Sequence, residues 1–326
     1  MKKKMRVLVA FLLALACFSS CDMLTPASSS STDASDTGSV ETSSSEEASS
    51  SESQTDSSSS VEEEEVDTFE VYESQDIPYY MNMGIDKLVL RLENDVVFED
   101  PYSITPHPMS NLVEELVIEG NGYSMTFLET SGVYQAISLT KTGAKIVIND
   151  LTIINEKTGG TPNDRKIIYT SINATTVEYN HCTFDGPVRF MNNAKCTNCT
   201  FNNENDTSGI DRYMIFFEPE DGTAYTLTLD GCTLSAPTGT YGLLKVYDQA
   251  RAGIKVHVKN STFAENVSWA SDMYVDGNVQ ITLEGTNVFS NNGSKALKAS
   301  SDGVTVNGVA IERAVLYTAE DLANLA

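Results

Sequence analysis

The side chains best suited to metal binding or nucleophilic attack are six cysteines and three histidines. Cys196 and Cys199 form a CxxC pair, the spacing with which zinc sites begin a tetrahedron of thiolates. A closed site needs a second pair, and none lies beside this one. His107, His181 and His257 are too scattered to complete a metal set or a Ser-His-Asp relay. Cations, aromatics and acids that recur at matching places hold more promise: Arg189, Phe216, Lys245 and Tyr274, the acids Glu218, Asp248 and Asp276, and the single tryptophan, Trp269. Arginine forks onto carboxylates, and aromatic rings lie flat on sugar faces. Three acids offer oxygen ligands to Ca2+. All of this chemistry depends on elements that bring the residues to one surface.

The chain has 326 residues, 46 acidic and 21 basic, unevenly distributed. Residues 1–20 hold four bases and no acid, and residues 22–66 hold twelve acids and no base, leaving 34 acids and 17 bases for 67–326. A domain of net charge −17 repels phosphate backbones, so nucleic-acid binding is excluded. Lys2, Lys3, Lys4 and Arg6 precede a twelve-residue apolar run, 7–18. The run is shorter than the roughly 20 residues of a spanning helix and reads as an export signal. Ser19 and Ser20 before Cys21 resemble a bacterial lipoprotein signal, which implies cleavage at residue 20 and acylation of Cys21. Phe18 stands where such signals usually carry Leu; Cys17 is the other candidate, and an ordinary secreted protein is the alternative. Residues 21–66 are Ser and Glu with almost nothing apolar, and are expected to form a disordered linker between envelope and domain.

Eight-residue segments of the remainder align without gaps: IVINDLTI (146–153), VEYNHCTF (177–184), AKCTNCTF (194–201), LTLDGCTL (227–234) and VHVKNSTF (256–263). Looser copies are LVIEGNGY (116–123), ITLEGTNV (281–288) and VTVNGVAI (304–311). Places one, three, six and eight are mostly apolar or small, and place seven is Thr in the five strong copies. That pattern predicts two short strands with a bend between them. Place five carries Gly120, Asp150, His181, Asn198, Gly231, Asn260, Gly285 and Gly308, types that tolerate a left-handed backbone. A third strand follows each strong copy: KIIY (166–169), VRF (188–190), YMIFF (213–217), LLKVY (243–247) and DMYV (272–275). Cys182, Cys199 and Cys232 at place six and Cys196 at place three are expected inside the coil, and the Thr column outside.

Three strands per repeat with Asn-like corners resemble the right-handed parallel β-helix of the pectin-lyase-like class, over about residues 85–315. The resemblance implies an all-β, three-sheet solenoid in the domain 67–326, with eight or nine coils at about 4.8 Å each. The tail from Tyr317 is expected to form a short helix over one open end. Proteins of this class commonly place a groove along one sheet and its flanking loops. Alternation in the third strand puts Arg189, Lys245 and Tyr274 outward, with Phe216 in the same column and Trp269 in an adjoining loop. Glu218, Asp248 and Asp276 end those strands and are the candidate Ca2+ ligands. No other cofactor is implied.

Two functions are expected from these parts. The first is a lipid-anchored binding or adhesion module at the cell surface, presenting a sheet face to an extracellular glycan or a surface protein. The second is a polysaccharide lyase or hydrolase with Arg189 or Lys245 as base. The Asn-Thr-Asp, paired-Asp and Gly-His-Gly motifs of the family's hydrolases are missing, and its Arg-centred lyase signature is not evident. That favours the binder.

Overall fold

The computed structural model describes residues 66–98, 113–129, 143–157, 174–202, 213–219, 222–235, 242–264, 271–290 and 293–325. The export signal, Cys21, nearly all of the linker, the segment KIIY and Trp269 lie outside them. The chain is a parallel β-solenoid of three sheets. Among the described residues the first sheet has eleven strands, from Thr68–Val71 at one end to Val309–Ala310 at the other. The second has seven, Val96–Phe98 to Thr262–Phe263, and the third has six, Val188–Phe190 to Leu316–Tyr317.

About five turns have all three sides among the described residues, beginning with Ala174–Asn180, Thr183–Asp185 and Val188–Phe190. The fifth has an isolated bridge, Thr262 to Val288, on its second side. Earlier rungs show first and second sides only, so the described coil is shorter than the eight or nine full coils expected from the repeat. The eighteen-residue stretch 180–197 carries a complete short turn, with corners at Gly186 and at Met191 and Asn192.

The strands stay in register because equivalent places pair rung by rung. Cys196 pairs with Tyr179 and with Leu229. Thr152, Thr183, Thr200, Thr233 and Thr262 form one column on the second sheet, half-buried on its outer face. Inward places fill a single core. Equivalent rings on successive rungs stack in parallel, Phe184 on Phe201 at 4.7 Å and Phe98 on Phe127 at 4.8 Å between centroids. In-register stacking of this kind adds offset aromatic contact to the burial of each ring.

The bend between first and second sides is left-handed at place five: Asp150, His181, Asn198, Gly231, Asn260, Gly285 and Gly308 all have positive φ. The upstream copy departs from this. Its left-handed residues are Asn121 and Gly122 rather than Gly120, because two extra residues separate Glu119, which pairs with Asn149, from Ser124, which pairs with Thr152. Gly120 instead leaves no room for a Cβ, whose nearest neighbour, the Asp150 carbonyl oxygen, would stand at 2.5 Å. In the last copy the second strand, Val309–Ala310, turns back antiparallel onto Thr305–Val306. That reversal ends the coil and leaves no parallel edge for another rung to extend.

Helices close both ends. Asp76–Met81 buries Ile77 and Met81 beside the first two strands, an element the repeat pattern does not announce. Ala319–Ala323 buries Leu322, and Thr318 caps it: its hydroxyl accepts from the Asp321 N–H at 3.1 Å while the Asp321 carboxylate accepts from the Thr318 N–H at 2.8 Å. The helix expected in the tail is therefore present.

Two corner glycines separate backbone strain from crowding. A Cβ on Gly231 (φ +66°) would stand 2.3 Å from Asn198 Oδ1, whereas Gly308 (φ +81°) has nothing within 4 Å. Gly308→Ala should cost about 1 kcal/mol, and Gly231→Ala should cost more, about 2–3 kcal/mol, in urea unfolding. Equal losses would show that the corner ladder is not packed in this way.

Candidate functional site

The third sheet carries the candidate residues. Strand pairing aligns Arg189, Phe216, Lys245, Tyr274 and Lys298 in one column across five adjacent rungs. The columns on either side point inward: Val188, Ile215, Leu244, Met273 and Leu297 on one, Phe190, Phe217, Val246, Val275 and Ala299 on the other. Period-two alternation therefore puts the central column on the outer face. Arg189, Lys245, Tyr274 and Lys298 are half-buried there.

Phe216 lies in the column yet is only 6% exposed, so it does not offer the open ring face expected from the sequence. Tyr213 meets it edge-on with centroids 5.7 Å apart, and the Lys245 ammonium sits 5.6 Å from its centroid. Phe216 is a floor beneath the charged groups. Tyr213 also reaches within 6.1 Å of the Tyr274 ring. It packs over Gly242, where a Cβ would come within 2.7 Å of its ring. Glycine at 242 thus makes space for the Ser271 carbonyl oxygen, which would stand 2.4 Å from a Cβ, and for the ring.

Glu218 is the electrostatic centre of the face. Its Oε1 accepts from Lys245 Nζ at 2.7 Å, and its Oε2 lies 3.3 Å from Arg189 Nε. Its side chain is only 10% exposed, so these charge-assisted contacts are less screened than a surface pair. Lys245 Nζ also lies 5.4 Å from the Tyr247 ring centroid, a cation held between a carboxylate and two rings.

The three acids do not converge. Glu218 serves Lys245 and Arg189; Asp248 accepts from the N–H groups of Ala252 and Gly253, both at 2.9 Å. Asp276 lies beside Tyr247 on the next rung. Among the described residues no group of three His, Cys, Asp or Glu is arranged to hold a metal. The Ca2+ site sketched from strand ends is not assembled among the described residues: Glu218 is committed to side-chain partners and Asp248 to backbone ones.

The four coil cysteines are buried and free of disulfides. The Cys182, Cys199 and Cys232 sulfurs each donate to a carbonyl one rung back, at 3.3 Å, and Ser261 continues the column at the next rung. Hydrogen bonds with the Cys182, Cys196 and Cys232 sulfurs, followed by burial, hold the Cys199 thiol far above its usual range, and burial raises Cys196. The hydrogen bond with Cys199 instead lowers Cys182 and Cys232, but all four thiols are enclosed in the core and serve as packing groups. His181 stands at an exposed corner, with Nδ1 3.7 Å from Asp150 Oδ1, and His257 lies on the outer face of the first sheet. Neither adjoins the third-sheet column.

Lys298, Tyr247 and Tyr213 belong to this face and were not reached from the sequence. The signal for Lys298 was ALKA at 296–299, which alternates as VRF does, one repeat beyond the last strong copy. The fold and this face define a parallel β-solenoid with a charged, aromatic sheet surface. No family model, curated protein or solved structure matches the chain.

One buried acid beside the face titrates near neutrality. Asp272 is fully buried and accepts from the N–H of Ser290 at 2.8 Å and from its hydroxyl. Burial pushes its carboxyl up to about 6, against the downward pull of the Ser290 bonds. The unfolded chain loses this proton near pH 4, so between about pH 4 and 6 the folded state binds more protons and stability falls as pH rises. The loss is at most about 3 kcal/mol. Asp272→Asn should flatten that segment of a plot of unfolding free energy against pH; an unchanged slope would assign the dependence elsewhere.

Proposed function

We propose that the protein is an exported, lipid-anchored module whose third sheet binds an extracellular glycan. In this reading Cys21 carries the acyl chains, residues 21–66 hold the solenoid away from the envelope, and the pectin-lyase-like likeness extends to the use of a sheet face as the ligand surface. The observation that carries it is the continuous outward column Arg189, Phe216, Lys245, Tyr274 and Lys298, five rungs of one parallel sheet. Rungs spaced at about 4.8 Å present regularly repeated contacts to an extended chain of sugars. Tyr274 supplies a half-exposed ring, while Arg189, Lys245 and Glu218 supply fixed donors and acceptors.

Catalysis on a polysaccharide is the second reading. It needs a base, and of the two cations nominated for that role Lys245 donates to Glu218 while Arg189 is ion-paired with it. A group spending its polar atoms on a structural partner is a poor proton acceptor. Binding is therefore the better use of this geometry.

The test is binding of the full chain, in mild detergent, to a broad glycan array with and without Ca2+, followed by incubation of each hit to detect chain cleavage. Retention without cleavage is expected, and Tyr274→Ala should weaken it about tenfold. Cleavage would establish the enzyme. Unchanged affinity in both Arg189→Ala and Tyr274→Ala would remove the third sheet as the site.

The anchor has its own test. Cys21→Ser should move the protein from the membrane fraction to the soluble fraction, with Cys17→Ser leaving it in place. The reverse result would assign the lipid to Cys17.

A further inference from the structure

We infer that the third-sheet face selects neutral sugars and rejects uronates, a specificity that rests on the glycan reading above. In a site built for uronates, Arg189 and Lys245 would turn their N–H groups to the ligand. Here Lys245 donates to Glu218 at 2.7 Å and Arg189 is ion-paired with the same carboxylate, its Nε 3.3 Å from Oε2. The Glu218 carboxylate already occupies the position a uronate carboxylate would take. It is only 10% exposed and ion-paired with two cations, so an incoming acid must evict it or sit beside it as a like charge in a poorly screened place.

The hydrogen-bonding capacity of the face points the same way. A carboxylate only accepts, whereas a sugar hydroxyl both donates and accepts. The face offers both functions within one ion-paired group: N–H donors from Arg189 and Lys245 and acceptor oxygens from Glu218. Tyr274 and Tyr247, both half-buried, add ring surface suited to the C–H faces of an uncharged pyranose. Asp276 stands beside Tyr247 and adds negative charge to the same surface. Residues 67–326 carry 34 acids against 17 bases, so the wider field also opposes a polyanion.

The experiment compares the full chain in mild detergent against neutral oligosaccharides (xylo-, manno- and cello-oligomers) and against oligogalacturonates of equal length, by calorimetry at low and high salt. The native chain should prefer a neutral series by about tenfold or more, with little response to salt. Glu218→Gln removes the internal counter-charge and should raise galacturonate affinity about tenfold, a gain that high salt abolishes. Tighter galacturonate than neutral binding by the native chain overturns the inference and leaves the glycan reading standing. Binding of neither series, by either form, brings down the glycan reading and the inference with it. The native chain's preference and salt response decide the matter even if Glu218→Gln does not fold.

Discussion

The regular part of the coil hangs on a single backbone constraint: from Asp150 to Gly285, one left-handed residue per rung between the first and second sides. A non-glycine residue in that conformation is unfavourable in isolation. It persists because the chain on either side is fixed by parallel hydrogen bonds to the rungs above and below. Asp150 N–H donates to the Asn180 carbonyl at 3.0 Å, and Asn198 N–H to the Asp230 carbonyl at 2.8 Å. The corner and the ladder support each other. A bend placed one residue away would reverse which side chains enter the core for the remainder of that rung.

The third-sheet face inherits its order from this parity. Arg189 is outward because Val188 and Phe190 are inward, and the same holds two rungs on for Lys245 between Leu244 and Val246. No loop has to fold precisely for these groups to share a surface. Glu218 then sets the electrostatics, one step beyond the same strands, by drawing two cations from neighbouring rungs onto one carboxylate. Packing and charge thereby meet at a residue whose position is determined by the register alone.

Much of this was legible in the sequence, because a repeat presents the same physical decision many times. The strong copies revealed the corner, the Thr column, the inward thiols and the outward column of Arg189, Lys245 and Tyr274. The places where pattern reading failed are those where neighbours in space override local periodicity. Gly120 has the composition of a corner residue, yet a two-residue insertion moves the bend to Asn121 and Gly122. Phe216 alternates outward, but burial depends on Tyr213 and Lys245 closing over it. Carboxylates at strand ends suggest a cation site until their partners are known, and Asp248 is taken by the backbone of its own turn.

Chain length is distributed unequally around the coil. The shortest turn passes from its second to its third side with two residues, between Asp185 and Val188. The next three cross the same corner with ten residues after Asn202, seven after Leu234 and nine after Phe263. A drifting lineage can therefore insert or delete residues at this corner without disturbing a single ladder, while the corner at place five varies by only one or two residues. Because the permissive corner opens onto the strands that carry Arg189, Phe216, Lys245 and Tyr274, descendants of this scaffold can diversify beside the exposed column while the interior stays frozen.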